Sequence, residues 1–131
     1  MKVFTLKKRK DFLKAAKKGY KSVVNGLVLQ AALSFPSPEK DCCFVGYTTS
    51  KKIGKANVRN FVRRRLRSVV QKIMPDLGLS GVDYVFIGRH NTADLNFDYL
   101  CKKIKSAVIE INRQILEKET NYAKKSNDIV N

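Results

Sequence analysis

The sequence predicts an α+β protein, a single compact α-β sandwich in which helices pack on a small mixed sheet. Three observations predict it. The hydrophobic pattern alternates between short apolar or period-two runs and segments of period near 3.6, giving the element order α-β-β-α-β-α. The length of 131 residues falls within the range of one domain, and 44% hydrophobic residues suffice for one core. No internal repeat interrupts that organisation. The order of elements leaves the strand order open.

Residues 8–18 read as the first helix, with Phe12, Leu13, Ala15 and Ala16 on its apolar side and Gly19 suited to its C-terminal cap. Residues 23–33 are apolar and partly β-branched, then Pro36, Ser37 and Pro38 break the run, so a strand followed by a loop is expected. A second strand covers residues 44–50. Its alternation sets Val45, Tyr47 and Thr49 on one face and Phe44, Gly46, Thr48 and Ser50 on the other. From about residue 57 to 74 the period becomes helical, with Val58, Phe61, Val62, Leu66, Val69, Val70 and Ile73 recurring three or four apart and Pro75 closing the helix. Gly78 and Gly81 mark a connection to a third, largely buried strand at residues 82–87. The last helix begins near Phe97, with Asn96 as N-cap and a stripe of Leu100, Cys101, Ile104, Ala107, Val108, Ile111 and Ile115. Residues 117–131 are polar and are expected to form a flexible tail beyond a domain of residues 1–116.

The formal charge of +16 and a pI near 10.0 exceed what solubility needs and point to a polyanionic partner. The excess is localised. Residues 1–21 hold nine Lys/Arg against Asp11 alone, and residues 51–72 hold nine with no acid, so these segments carry +8 and +9 while the rest sums to −1. No run of apolar residues is long enough for a membrane span, and the start MKVFTLKKRK lacks the apolar stretch of a secretory signal, so a cytoplasmic location is expected. Cys42, Cys43 and Cys101 are odd in number and fit no zinc spacing, which suggests reduced, buried thiols.

Wound at about 100° per residue, Val58, Val62, Leu66, Val69, Val70 and Ile73 fall within an arc of roughly 120°. Asn60, Arg63, Arg64, Arg67 and Gln71 gather beside it, with Arg59 at one border and Arg65 on the other flank. A guanidinium fork holds two phosphate oxygens at once, and asparagine adds a neutral donor and acceptor. Lys51, Lys52 and Lys55 precede the helix, where its free N–H groups also favour an anion.

Residues 45–67, VGYTTSKKIGKANVRNFVRRRLR, resemble the signature of the bacterial ribonuclease P protein family: a strand, a Ser-Lys-Lys-x-x-Gly turn, and a helix with an Arg-Asn-Arg motif. The lead-in KKRKDFLKAAKKG is similar to that family's basic first helix, and DYVFIGR with the long last helix is similar to its final strand and helix, so the resemblance reaches to about Leu116. It implies an α/β fold with an unusual left-handed βαβ crossover, against the right-handed rule. It implies the partners ribonuclease P RNA and precursor tRNA, and no membrane or small-molecule substrate. It also implies an active site made of RNA, with Mg2+ bound mainly by that RNA and no catalytic residue in the protein. By position, Lys51, Lys52, Lys55, Arg59, Asn60, Arg63, Arg64 and Arg67 would meet the RNA subunit. Phe12, Gln30, Thr48, Ser50, Lys52 and Arg89 would meet the single-stranded 5′ leader, where a ring can stack on an unpaired base. Two positions depart from the family pattern. Phe61 stands at the third place of the Arg-Asn-Arg motif, which leaves it stacking or packing in place of a phosphate contact, and Ala16 replaces a second cleft aromatic.

Other function classes fit less well. A nuclease acting through its own side chains needs converging carboxylates or a placed histidine, but the eleven acids are dispersed and His90 has no evident partner. A helix-turn-helix regulator needs a helix just upstream of the arginine helix, where a strand and a lysine turn stand instead. A ribosomal-type or other structured-RNA-binding protein without enzymatic role shares the basic composition, and the family resemblance separates the two.

Overall fold

The computed structural model describes residues 1–34 and 41–130, with side chains at all of them except Lys18 and residues 121–130. The loop read from Pro36, Ser37 and Pro38 lies outside the described residues. In chain order the elements are β1 (Lys2–Thr5), α1 (Arg9–Lys18), β2 (Tyr20–Val24), β3 (Leu27–Leu33) and β4 (Cys42–Thr49). A 3-10 turn (Lys51–Ile53), α2 (Ala56–Leu77), β5 (Val82–Gly88) and α3 (Phe97–Val130) follow. The sheet order is β1-β4-β5-β3-β2. β4 runs parallel to β1 and β5, whereas β3 is antiparallel to both β5 and β2, so the sheet is mixed as expected. α2 crosses between the adjacent parallel strands β4 and β5, forming the βαβ unit to which the resemblance assigns its unusual hand.

Two helical layers cover the sheet. On one face Leu29, Val45, Tyr84 and Phe86 of the strands meet Val62, Leu66, Val69, Val70 and Met74 of α2 and Leu100, Ile104, Val108 and Ile111 of α3. On the other, Leu6, Ala32 and Val85 are covered by Ala15 and Phe12 of α1. The period-two side-chain alternation of a strand makes this possible, because β4 and β5 send successive residues to opposite layers. Val45 and Tyr47 reach the α2 layer and Phe44 the α1 layer, in agreement with the predicted faces. All three cysteines are free thiols, Cys42 and Cys43 buried and Cys101 half-buried.

The structure corrects three local expectations. β1 carries no strand signal of its own: its four residues pair in parallel with Cys42 to Val45, so long-range pairing overrides the brevity of the pattern. The single strand expected over residues 23–33 is a hairpin, β2 and β3, around Asn25 and Gly26, where Gly26 adopts φ 90° as a two-residue turn requires. α2 does not end before Pro75 but runs to Leu77. Pro75 lies on an exposed part of the last turn, where the Gln71 carbonyl it leaves unpaired can meet water, and the Gly78 N–H closes on the Met74 carbonyl at 2.8 Å. Gly19 ends α1 as expected, and does so with an ordinary negative φ of −87°. Its lack of a side chain serves close approach, since a Cβ there would sit 2.2 Å from the carbonyl oxygens of Ala15 and Ala31.

At α3 the expected cap is present: Asn96 Oδ1 accepts from the N–H groups of Asp98 at 2.9 Å and Tyr99 at 3.2 Å. The helix then continues to Val130, through the polar segment that begins at Glu117. Arg113 pairs with Glu110 at 2.8 Å and Glu117 at 2.6 Å, side-chain links across successive turns that favour continuation beyond Ile115, the last buried side chain among the described residues.

One polar group joins three elements inside this core. The Tyr84 hydroxyl donates to Asn112 Oδ1 at 2.6 Å and accepts from the Leu79 N–H at 2.9 Å, while Asn112 Nδ2 donates to the Leu77 carbonyl at 2.7 Å. Burial holds the phenol well above its usual pKa, so it remains a neutral donor. Tyr84→Phe removes both hydroxyl bonds and leaves partners unpaired in a partly buried site, so a loss of about 1–3 kcal/mol is expected. Urea unfolding would show it as a lower midpoint with an unchanged m-value.

Candidate nucleic-acid interface

The solvent side of α2 is built by helical spacing. Asn57, Asn60, Arg63, Arg64 and Arg67 line a concavity of about 470 Å³. Asn57 was not among the expected residues, although it lies one turn before Asn60 and two turns before Arg64 and could have been read from that spacing. The arginines there are partly positioned by the protein. Arg63 donates to Thr49 Oγ1 at 3.1 Å and also to Asn60 Oδ1, and the Arg67 guanidinium lies 5.5 Å from the Tyr47 ring centre. Tyr47 stacks on Phe86 with ring centres 6.1 Å apart, and burial pushes its phenol up to about 12, partly opposed by Arg67. It is partly buried against the core on the face it shares with Val45, as the alternation predicted, and forms a neutral floor under Arg67.

The remaining residues of that set do not line the concavity. Arg59 is half-buried and turns back to donate to the Gly54 carbonyl at 3.0 Å. Lys51, Lys52 and Lys55 are exposed at the start of α2, where no side chain caps the helix. Arg65 faces the other way. Its Nη1 donates to the carbonyls of Thr92 and Ala93, both at 2.8 Å, and its Nη2 to that of Leu95 at 2.6 Å. A basic residue in the sequence is here a tie between α2 and the loop before α3.

The second surface lies on the α1 side. A cleft of about 520 Å³ is walled by Phe12, Leu13 and Ala16 of α1, by Gln30, Thr48, Val85 and Ile87 of the sheet, and by Lys7 and Arg9 at its mouth. Phe12, Gln30 and Thr48 therefore meet in one place. Phe12 is half-buried and owes its position to Gly46, where a Cβ would come within 2.6 Å of the ring. The ring is at once a packing residue and a wall of the cleft, and Ala16 beside it leaves the floor open. Tyr47 also borders the cleft, although its ring packs on the other face. Ser50, Lys52 and Arg89 do not line it. Ser50 accepts from the Lys52 N–H at 3.0 Å and so starts the 3-10 turn, and Arg89 is exposed just past the end of β5. Lys7, Arg9, Val85 and Ile87 were not expected; the alternation of β5 would have paired Val85 with Ile87, whereas Lys7 and Arg9 carry no local signal beyond charge.

Among the described residues no three His, Cys, Asp or Glu side chains come together as a metal site, and no helix is long and apolar enough to cross a membrane. His90 is exposed. The buried carboxylate Asp83 accepts from Ser34 Oγ at 2.5 Å, and burial raises its pKa. What the two surfaces offer is cationic and aromatic contact, with acids absent from the walls of either cleft among the described residues.

A mixed sheet with one helix on one face and two on the other, bearing an arginine concavity and a basic aromatic cleft, defines a small nucleic-acid-binding α+β protein. The sequence model of the family described as Ribonuclease P matches residues 1–112. The chain belongs to the ribonuclease P protein component family. It is 41% identical over 104 residues to the ribonuclease P protein component of Paramagnetospirillum magneticum, covering 79% of this chain and 78% of that one. To that of Gluconacetobacter diazotrophicus it is 46% identical over 92 residues, covering 70% and 77%. Among solved structures, the Staphylococcus aureus RNase P protein superposes with a TM-score of 0.67 at 25% identity, covering 80% of this chain and 92% of that one. The Thermotoga maritima RNase P protein has the same fold, with a TM-score of 0.69 at 23% identity over 82% and 96% of the two chains.

Arg65 separates structural from interface charge. Arg65→Ala removes three charge-assisted hydrogen bonds to backbone carbonyls, and a destabilisation of roughly 2–4 kcal/mol is expected from the usual worth of such bonds. Chemical denaturation of this variant beside Arg64→Ala, whose side chain is exposed, should show the loss in the first and almost none in the second.

Proposed function

We propose that this protein binds the catalytic RNA of ribonuclease P through α2 and the 5′ leader of precursor tRNA along the α1 cleft, assisting 5′ maturation of tRNA by an active site made of RNA. The observation that carries this reading is the pair of surfaces: a concavity of arginines and asparagines on one side of the sheet, and an open basic cleft with a ring, an amide and a hydroxyl on the other. Arginine forks suit the phosphates of a folded RNA. The Phe12 ring can stack on an unpaired base of any identity, while Gln30 and Thr48 take polar groups and Lys7 and Arg9 hold the backbone. Stacking that accepts any base suits a leader of variable sequence.

In this reading the magnesium ions belong to RNA phosphates. The protein acts on them through its field. Segments of +8 and +9 placed against the RNA core and the leader take over part of the neutralisation that divalent ions otherwise supply. The demand for magnesium in leader removal should therefore fall when the protein is added to a bacterial ribonuclease P RNA, measured as the magnesium concentration giving half-maximal cleavage. An unchanged requirement would remove the support for this role.

Arg63→Ala with Arg67→Ala should weaken binding to that RNA by a few kcal/mol at most. The slope of log K against log salt should become shallower by about one for each phosphate that the variant no longer neutralises. Normal binding by the double variant in moderate salt would show that α2 does not face the RNA.

Phe12→Ala should weaken binding of precursor tRNA with a leader of several nucleotides and leave a substrate with about one leader nucleotide nearly unaffected. Equal loss on both would assign the ring to packing over Gly46 alone.

A further inference from the structure

Phe61 is 42% exposed, on a helix whose buried residues include Val62, Leu66, Val69 and Val70. It lies outside the apolar arc, so the core does not require it, and exposing a ring in the middle of a charged surface is unfavourable unless something covers it. The surroundings show what that could be. The Arg65 guanidinium lies 5.6 Å from the centre of the Phe61 ring and 5.8 Å from that of Phe97, itself 36% exposed. Because the same guanidinium donates to the carbonyls of Thr92, Ala93 and Leu95, it is held in place from behind. Two open rings are thus fixed by one immobilised cation. On the helix, Phe61 adjoins Asn57 and Arg64, four residues before it and three after, and both of these line the arginine concavity.

We infer that Phe61 and Phe97, braced by Arg65, form a stacking platform for an unpaired nucleobase of the RNA that α2 binds, with the adjoining phosphate directed toward Arg64. The inference rests on the reading that α2 faces RNA. An aromatic face stacks on any base, and a neighbouring cation strengthens the contact by attraction to the π system. The occupant follows from the charge around the rings: the concavity beside them selects a polyanion, and an RNA with splayed bases offers both the phosphates and the flat apolar surface. Where the family pattern would place a phosphate contact at this position, this chain substitutes a contact that does not depend on counterion release.

That difference supplies the test. Binding of the full-length protein to a transcribed bacterial ribonuclease P RNA would be measured across a salt series for wild type, Phe61→Leu, Phe61→Trp and the Arg63→Ala/Arg67→Ala pair. Leucine keeps apolar bulk against Arg65 but cannot stack. Phe61→Leu is expected to bind roughly five- to hundredfold more weakly, with the wild-type salt slope and an unchanged thermal midpoint, while Phe61→Trp binds as tightly as wild type or better. Wild-type affinity in Phe61→Leu, with the arginine pair still weakened, would overturn the platform alone and assign the rings to a protein partner or to packing. Equal losses in the leucine and tryptophan variants would also overturn it. If the wild-type protein itself does not bind the RNA, the platform and the α2 reading fall together.

Discussion

The alternation of side chains along β4 is the constraint on which the rest of the structure depends. This strand lies between β1 and β5 and is covered by a helical layer on each face, so each step along it changes the surface it serves. Gly46 makes room for Phe12 on the α1 side, and its neighbour Tyr47 supports Arg67 on the α2 side. One residue further, Thr48 enters the cleft, and Thr49 receives the Arg63 hydrogen bond. The two candidate RNA surfaces are therefore set relative to each other by the pitch of a single strand. A shift of register by one residue would exchange them and destroy both.

Much of this was legible in the amino-acid sequence because it follows from local periodicity. The arc of Val62, Leu66, Val69 and Val70, the faces of β4, the Asn96 cap and the stripe of α3 were each carried by spacing within one element. What escaped was set at a distance. β1 is too short to announce itself and exists through pairing with residues forty positions away. The Asn25-Gly26 turn did carry a local signal, but the continuous apolar run on both sides concealed it. Pro75 misled because a proline near an exposed helix end forfeits little that water cannot replace.

The candidate site divides in the same way. Charge density and helical spacing found Asn60, Arg63, Arg64 and Arg67, and the resemblance found Phe12, Gln30 and Thr48. Helical spacing set Arg65 apart on the other flank of the helix, but it could not show that the guanidinium is occupied by carbonyls of a loop some thirty residues on. A count of basic residues thus overstates the charge available at a surface. It is the acceptors brought near by tertiary structure that decide which cations remain for a partner.

The strand order has a consequence for how the chain is made. β3 and β4 are consecutive in sequence yet do not pair; β5 lies between them and bonds to both. While the ribosome is still synthesising the middle of the protein, only the β2–β3 hairpin and the β1–β4 pair can exist, as two separate fragments with unpaired edges. α2, with its arginines, emerges before the strand that completes the sheet beneath it. The sheet can close only once residues 82–88 have cleared the exit tunnel and inserted between the two pairs, and α3 then completes the layer over it, so the cationic helix is made before the core that holds it.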